Sequence, residues 1–396
     1  MIGGRGPARD PVESGMHRRV ALLLFAAGWG ANHFSTLLVV YRRDLGLPPA
    51  ALGILFGAYA LGLVPGLILA GRASDRWGRR ALVLPASAVA LVGSAILAFG
   101  TRGFPVLLAG RLVYGLGMGA VMSPGSVWLQ ELSPPGAGPR RATLALSAGF
   151  GLGPVVSGAI AELAPAPMLV PYLVCLLVML VALVGVRDVP ETVARARDAG
   201  SRNAPGRVRP GDLRVLVELL PVAPWAFGVV SVTLVILPGL MRPLVSSPVL
   251  YSGFVIFVSL ATSVLAQPFV RRLGRAAALW GLGVGALGIL LGAHAVAVAS
   301  PALVFAVAPL VGFSYGVVMT AGLGQVATRV PPQARGTAVG IYYVLTYVGF
   351  ALPFVHAKLA KGWGDHDTLL ASVALAAACL LVRAAIRLGP RHPLRG

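Results

Sequence analysis

The chain has 396 residues, of which 57% are hydrophobic and only 12% charged, with a formal net charge of +20. A soluble domain carries about 25% charge, so these residues cannot clothe a water-facing surface of normal size, and a mean hydropathy of +0.83 points to a bilayer. The arginines lie in short clusters between apolar runs, where they orient helices, rather than on one basic face, which argues against a nucleic-acid partner.

Apolar runs of about 20 residues predict twelve membrane spans, near 19–41, 48–70, 81–100, 104–127, 142–164, 168–187, 214–237, 248–269, 276–298, 301–326, 335–357 and 367–388. An even number puts both ends of the chain on one side. The loops on that side hold 26 of the 33 Lys and Arg residues, the opposite loops 6, and Arg111 is left inside span 4. By the positive-inside rule both termini are expected in the cytoplasm. The fold class is therefore an all-α membrane protein in the cell membrane, with lipid around it. The predicted organisation is a tail over 1–18, a six-helix bundle over 19–187, a cytoplasmic linker over 188–213, a second bundle over 214–388 and a tail over 389–396. The first span follows Arg18 and Arg19 and runs on too long for the apolar region of a cleavable signal.

Span 1 carries Trp29, Asn32, His33, Ser35 and Thr36, an unusual polar group at mid-membrane depth. Trp29, His33 and Thr36 share a helical face, which is expected to line a central cavity. The carboxylates that can be placed (Asp44, Asp75, Glu131, Glu162, Glu218, Asp365, Asp367) all lie at span ends. His33 is then the side chain able to titrate near neutral pH at that depth; a neutral His bonded to a neighbouring helix is the alternative. His356 and His294 read as interfacial.

Between spans 2 and 3, Gly71-Arg72-Ala73-Ser74-Asp75-Arg76-Trp77-Gly78-Arg79-Arg80 packs five charges into ten residues. A charged tight turn between two charge-free spans reads as a cytoplasmic loop. Span 4 contains Arg111-Leu-Val-Tyr114-Gly115-Leu-Gly117-Met118-Gly119. A full charge inside a span is costly and is a functional candidate, although Arg111 lies near the outer end and could snorkel. In span 5, Gly149, Gly153 and Ser157 repeat every fourth residue beside Pro154 and Gly158, a small-residue stripe that admits a partner helix closely. Cys175 and Cys379 sit in apolar spans without ligand-like spacing, so no disulfide framework, metal or cofactor is expected.

The second half echoes the first. Asp75-Arg76-Trp77-Gly78-Arg79 aligns with Arg271-Arg272-Leu273-Gly274-Arg275 at a shift of 196, and Pro134-Pro135 with Arg141-Ala142-Thr143 aligns with Pro331-Pro332 and Arg335-Gly336-Thr337. A repeat near half the chain length is what a duplicated transporter predicts. Aromatic and hydroxyl candidates for a cavity lining follow: Trp29, Asn32, Tyr114 and Met118 in the first half, Trp225, Tyr315, Tyr343 and Tyr347 in the second.

The pattern G-x-x-x-D-R-x-G-R-R at 71–80 resembles the signature between helices 2 and 3 of the major facilitator superfamily, and the resemblance extends over essentially the whole chain. It implies two pseudo-symmetric six-helix bundles working by alternating access. It also implies a conformational latch built from Gly71, Asp75, Arg76, Gly78, Arg79 and Arg80, with Arg76 or Arg79 facing Glu131. The second copy has Arg271 where the first has its acid, so the latch is expected on one side only. Arg111 and its glycines resemble the family's R-x-x-x-G-x-G motif; with His33 it is a candidate for proton coupling or substrate contact. The stripe at Gly149, Gly153, Pro154, Ser157 and Gly158 is similar to the G-x-x-x-G-P-x-x-G-G motif of proton-coupled antiporters. The leading expectation is a monomeric, proton-coupled exporter of small apolar or cationic compounds. Uptake or facilitated movement of a polar solute such as a sugar or organic acid is the alternative, and a non-transporting membrane sensor or scaffold is the reading from another class. An enzyme is not expected, since no nucleophile–base pair, metal cluster or phosphate loop is present.

Overall fold

A computed structural model describes residues 15–134, 137–192, 210–330 and 332–388. The tail over 1–14, most of the expected linker and the tail over 389–396 lie outside the described residues. Sixteen α-helices follow in order: α1 Met16–Asp44, α2 Pro49–Trp77, α3 Arg79–Ala98, α4 Phe104–Glu131, α5 Gly138–Leu163, α6 Val170–Gly185, α7 Pro210–Leu219, α8 Ala223–Ser231, α9 Leu237–Met241, α10 Pro248–Ala266, α11 Phe269–Leu273, α12 Ala277–Ala297, α13 Pro301–Arg329, α14 Pro332–Tyr347, α15 Leu352–Trp363 and α16 Asp365–Leu388. No strand occurs among the described residues. Among the described residues, eleven helical stretches are long and apolar enough to cross a membrane, and α6, at 16 residues, is a shorter apolar helix.

Three spans depart from the sequence expectation, each for a backbone reason. The charged segment 71–77 is not a loop but the last turns of α2, because nothing before Gly78 breaks the helix. Gly78 alone makes the corner, with a φ of 109° that suits a residue without a Cβ. Span 7 is broken into α7, α8, a five-residue π-helical turn at Val232–Ile236, and α9. Pro221, Pro224 and Pro238 each lack an amide proton. Widened turns of this kind cluster at functional sites. The turn is held by Thr233, whose hydroxyl donates to the Val230 carbonyl at 3.1 Å and accepts from Ser259 of α10 at 2.9 Å. Span 11 bends at a 3₁₀ turn, Val348–Ala351, just before Pro353, and then continues to Trp363. Lys358 and Lys361, expected in an outer loop, are therefore helical.

The contacts sort into two compact units. One takes α1 as far as His33, α2 from Leu61, then α3, α4, α5 as far as Gly153, and α6. Its helices approach at glycines. A Cβ on Gly62 or Gly119 would run into the backbone of α4 or α2 respectively, and one on Gly28 or Gly149 into α5 or α1. Lipid supplies no hydrophobic drive between helices, so such close van der Waals contact holds them together.

The other unit takes the remaining part of α1 from Phe34, of α2 up to Ala60 and of α5 from Pro154, with every helix from α7 onward. Here Gly312 and Gly316 of α13 press on the Ser259 and Ser263 carbonyls of α10, and Gly349 on the Pro224 carbonyl. A buried cluster of Val215, Leu216, Leu219, Val326, Val330 and Tyr342 closes the end where α7 enters.

Candidate functional site

The α2–α3 junction is a charge network. Helix α3 begins with free amide protons and no side-chain cap of its own, and such donors need acceptors. Glu191, beyond α6, supplies them: its carboxylate accepts from the amides of Arg79 at 2.8 Å, Arg80 at 2.9 Å and Ala81 at 3.4 Å. A carboxylate at this helix end is also favoured by the macrodipole. The Arg79 guanidinium pairs with Glu131 at 3.3 Å and donates to the Ser74 hydroxyl at 2.7 Å. Thr192 donates a short bond to the other Glu131 oxygen. Arg80 reaches the Arg187 carbonyl at 2.5 Å, and the Trp128 indole donates to the Pro190 carbonyl at 3.0 Å. The structure thus brings Arg79, rather than Arg76, to Glu131. Arg76 is exposed, and of Asp75 only the backbone is described.

Glu191 and Thr192 were assigned to a polar linker, yet they belong to this network. The signal for them was present: a helix starting at Arg79 with no Ser, Thr, Asp or Asn before it must draw an acceptor from elsewhere.

His33 and Arg111, on α1 and α4, are electrostatic neighbours, 1% and 2% exposed. The imidazole stands edge-on to Tyr172 of α6, centroids 5.0 Å apart. Tyr114 is buried with them, its hydroxyl against Gly30, where no larger residue would fit. Asn32 donates its amide to the Phe150 carbonyl at 2.9 Å, Met118 is fully buried, and Trp29 is 7% exposed against Phe25. In the same unit α5 lies on α1 through Gly149 and Gly153. In the other unit Thr36 donates to the Pro154 carbonyl at 3.1 Å, and Gly158 meets Thr36 and the Val249 backbone. Ser157 is fully buried.

The second unit presents an aromatic face centred on Phe227 of α8. Its ring stacks on Tyr347 at 4.6 Å and 15°, and tilts against Phe350 at 4.5 Å and Tyr315 at 5.3 Å. Tyr343 adjoins Tyr347 at 6.5 Å, and Phe56 of α2 adjoins Phe350 at 4.7 Å. Trp225, two residues before Phe227, is buried near Gly228. Tyr315, Tyr343 and Tyr347 come together in one cluster with Phe227, Phe350 and Phe56, which the sequence does not single out. Only their convergence distinguishes them from packing.

Many apolar helices long enough to cross a bilayer define a multi-pass membrane protein. The chain belongs to the Major Facilitator Superfamily, whose family model matches residues 20–354.

Among proteins of known annotation, a stretch of 107 residues is 33% identical to the glucose transporter GlcP of Staphylococcus epidermidis, covering 27% of this chain and 24% of that one. A stretch of 142 residues is 32% identical to the proton myo-inositol cotransporter of Homo sapiens, over 35% and 22% of the two chains. A third, of 122 residues, is 34% identical to the sugar efflux transporter A of Escherichia coli, over 30% and 31%. Each match spans under a third of the relative's length. Among solved structures, the nucleoside transporter NupG superposes with a TM-score of 0.75 at 14% identity, over 95% of this chain and 100% of that one. The xylose transporter XylE of E. coli superposes at 0.72 and 16%, over 96% and 99%. At such identities the likeness is one of fold. The protein is a multi-pass membrane protein of this family.

Proposed function

We propose that this protein carries a neutral, polyhydroxylated solute of the sugar or polyol class by alternating access of its two six-helix halves, 19–187 and 214–388. The observation that carries the reading is the aromatic face at Phe227, Tyr315, Tyr343, Tyr347 and Phe350, whose flat rings and phenol hydroxyls suit a ring-shaped or extended polyol. Relatives named for glucose and myo-inositol support the same class, and they turn the reading away from the export of apolar or cationic drugs.

His33 and Arg111 are the coupling pair in this reading. Protonating His33 beside Arg111 places two like charges in one buried site, and that cost is relieved only if the surrounding helices shift. The α2–α3 network of Arg79, Glu131 and Glu191 is the latch whose bonds re-form in each cycle. The distribution of Lys and Arg supports cytoplasmic termini in a cell membrane.

The experiment is uptake of labelled glucose, xylose, myo-inositol and a lipophilic cation into proteoliposomes. A polyhydroxylated solute is expected to enter, with Phe227→Ala raising KM at least tenfold and His33→Gln removing the response to an imposed pH gradient. Movement of the lipophilic cation alone would overturn the reading.

A further inference from the structure

A cleft lies in the second unit, at the ends of α1, α9 and α10. Its lining is largely apolar, and the polar side chains on it are Ser35 and Arg42 of α1, Arg242, and Ser252 of α10. Arg42 and Arg242 are half-buried and act on one another electrostatically. Arg42 has one long hydrogen bond, to the Gly239 carbonyl at 3.4 Å. Arg242 makes no hydrogen bond or ion pair among the described residues. The Ser252 hydroxyl is fully buried and likewise unpartnered there.

Of the acids near this end of α1, Glu162 acts on Arg43. Asp44 is bonded to Arg43 at 2.5 and 3.1 Å. Asp365, the carboxylate that acts on Arg42, is bonded to His356 at 3.0 Å. Two guanidiniums therefore share a cleft with one carboxylate, Asp365, acting on Arg42. Like charges this close and partly desolvated repel, and a buried hydroxyl without a partner adds a desolvation cost. A small anion drawn into the cleft would relieve both, because guanidiniums offer parallel donors suited to oxyanions and the Ser252 hydroxyl can donate as well.

We propose that this cleft binds a small monovalent or divalent anion, a carboxylate or an inorganic ion such as chloride or phosphate, held by Arg42, Arg242 and Ser252. Bound there, the anion ties the end of α1, from the first half of the sequence, to α9, from the second, and so stabilises the arrangement of this unit. The site is independent of the solute proposed above: the polyol reading can fail while the anion site stands, and the reverse.

The test measures thermal unfolding of the purified full-length protein in a buffer whose only anion is HEPES, adding chloride, acetate or phosphate at constant ionic strength. At least one is expected to raise the Tm saturably, by about 4 °C for a ligand well above its Kd. Arg242→Gln and Arg42→Gln should abolish the saturable rise, Arg42→Lys should weaken it, and Arg43→Gln should leave it intact. No saturable rise in the wild type, or an equal rise in Arg242→Gln, overturns the proposal. Should the glutamine variants not fold, Ser252→Ala provides the second probe, with at least a threefold increase in the apparent Kd expected and an unchanged Kd overturning it. Labelled acetate or phosphate trapped in proteoliposomes identifies the anion as cargo; saturable stabilisation without accumulation identifies it as a resident ion, and both support the site.

Discussion

The two copies of the basic corner use the same backbone device with different electrostatics. Gly78 in the first and Gly274 in the second both turn the chain at positive φ, 109° and 52°. Around Gly78, Glu131 and Glu191 gather the amides of α3 and the guanidinium of Arg79. Around Gly274, no such acid meets Arg271, Arg272 or Arg275 among the described residues; Arg272 instead lies over the Phe269 ring at 5.6 Å. The second half is tied elsewhere. Glu218 of α7 holds Arg329 of α13 bidentately at 2.7 and 3.0 Å, and buried Arg383 of α16 donates to the Glu218 carbonyl at 2.6 Å and the Gln325 amide oxygen at 2.8 Å. A duplicated fold keeps its turn geometry because the turn is dictated by a glycine. It can move its charges, because any acid that reaches the arginines will do.

That contrast can be broken first at Glu218. Replacing it with Ala leaves Arg383, 7% exposed, without its compensating acid. The expected loss is the largest, about 3 kcal/mol, read as a lower Tm in detergent with the α2–α3 corner undisturbed. Glu191→Ala comes next. It strips the acceptor from three α3 amides, at about 2 kcal/mol, and should slow transport as well as lower the Tm, whereas Glu218→Ala should affect mainly the Tm. Equal effects of both on the transport rate would remove the distinction between a latch and a fixed tie.

Gly78→Ala and Gly274→Ala sharpen the comparison at the corners. A Cβ on residue 78 collides with the Glu191 carboxylate, while one on residue 274 meets nothing within 4 Å. Both carry the strain of positive φ, about 1 kcal/mol, so the first is expected to cost about twice the second by thermal unfolding. The smallest effect is expected from Arg271→Asp, which restores the missing acid at an exposed position: within about 0.5 kcal/mol in stability, with no change in solute uptake. A large change in uptake would mean that the second corner also gates.

Hydropathy made the membrane class and the span count legible, because a bilayer demands about 20 apolar residues wherever a helix crosses it. The charged corner could be picked out for the same reason, as charges stand out between charge-free spans. Its shape could not. Residues 71–77 looked like a loop because they are charged, yet charge does not end a helix, and the break waits for Gly78. His33 and Arg111 could each be singled out as costly polar groups at depth, but that they neighbour one another depends on how α1 and α4 pack. Export was favoured on the glycine stripe of span 5; in the structure that stripe is where α5 meets α1, a packing contact that says little about cargo.

Composition and local pattern therefore determined where the chain crosses the membrane, which side its positive charges favour, and which family motifs it carries, since each depends on residues near in sequence or on transfer into lipid. Tertiary structure decided the partners. Glu191 caps a helix that begins 112 residues earlier, Phe227 becomes the centre of an aromatic face only when α8, α13 and α14 converge, and Arg42 and Arg242 share a cleft across 200 residues of chain. Side-chain contacts of this kind depend on distance in space, and a linear sequence contains that distance only through the packing of every helix in between.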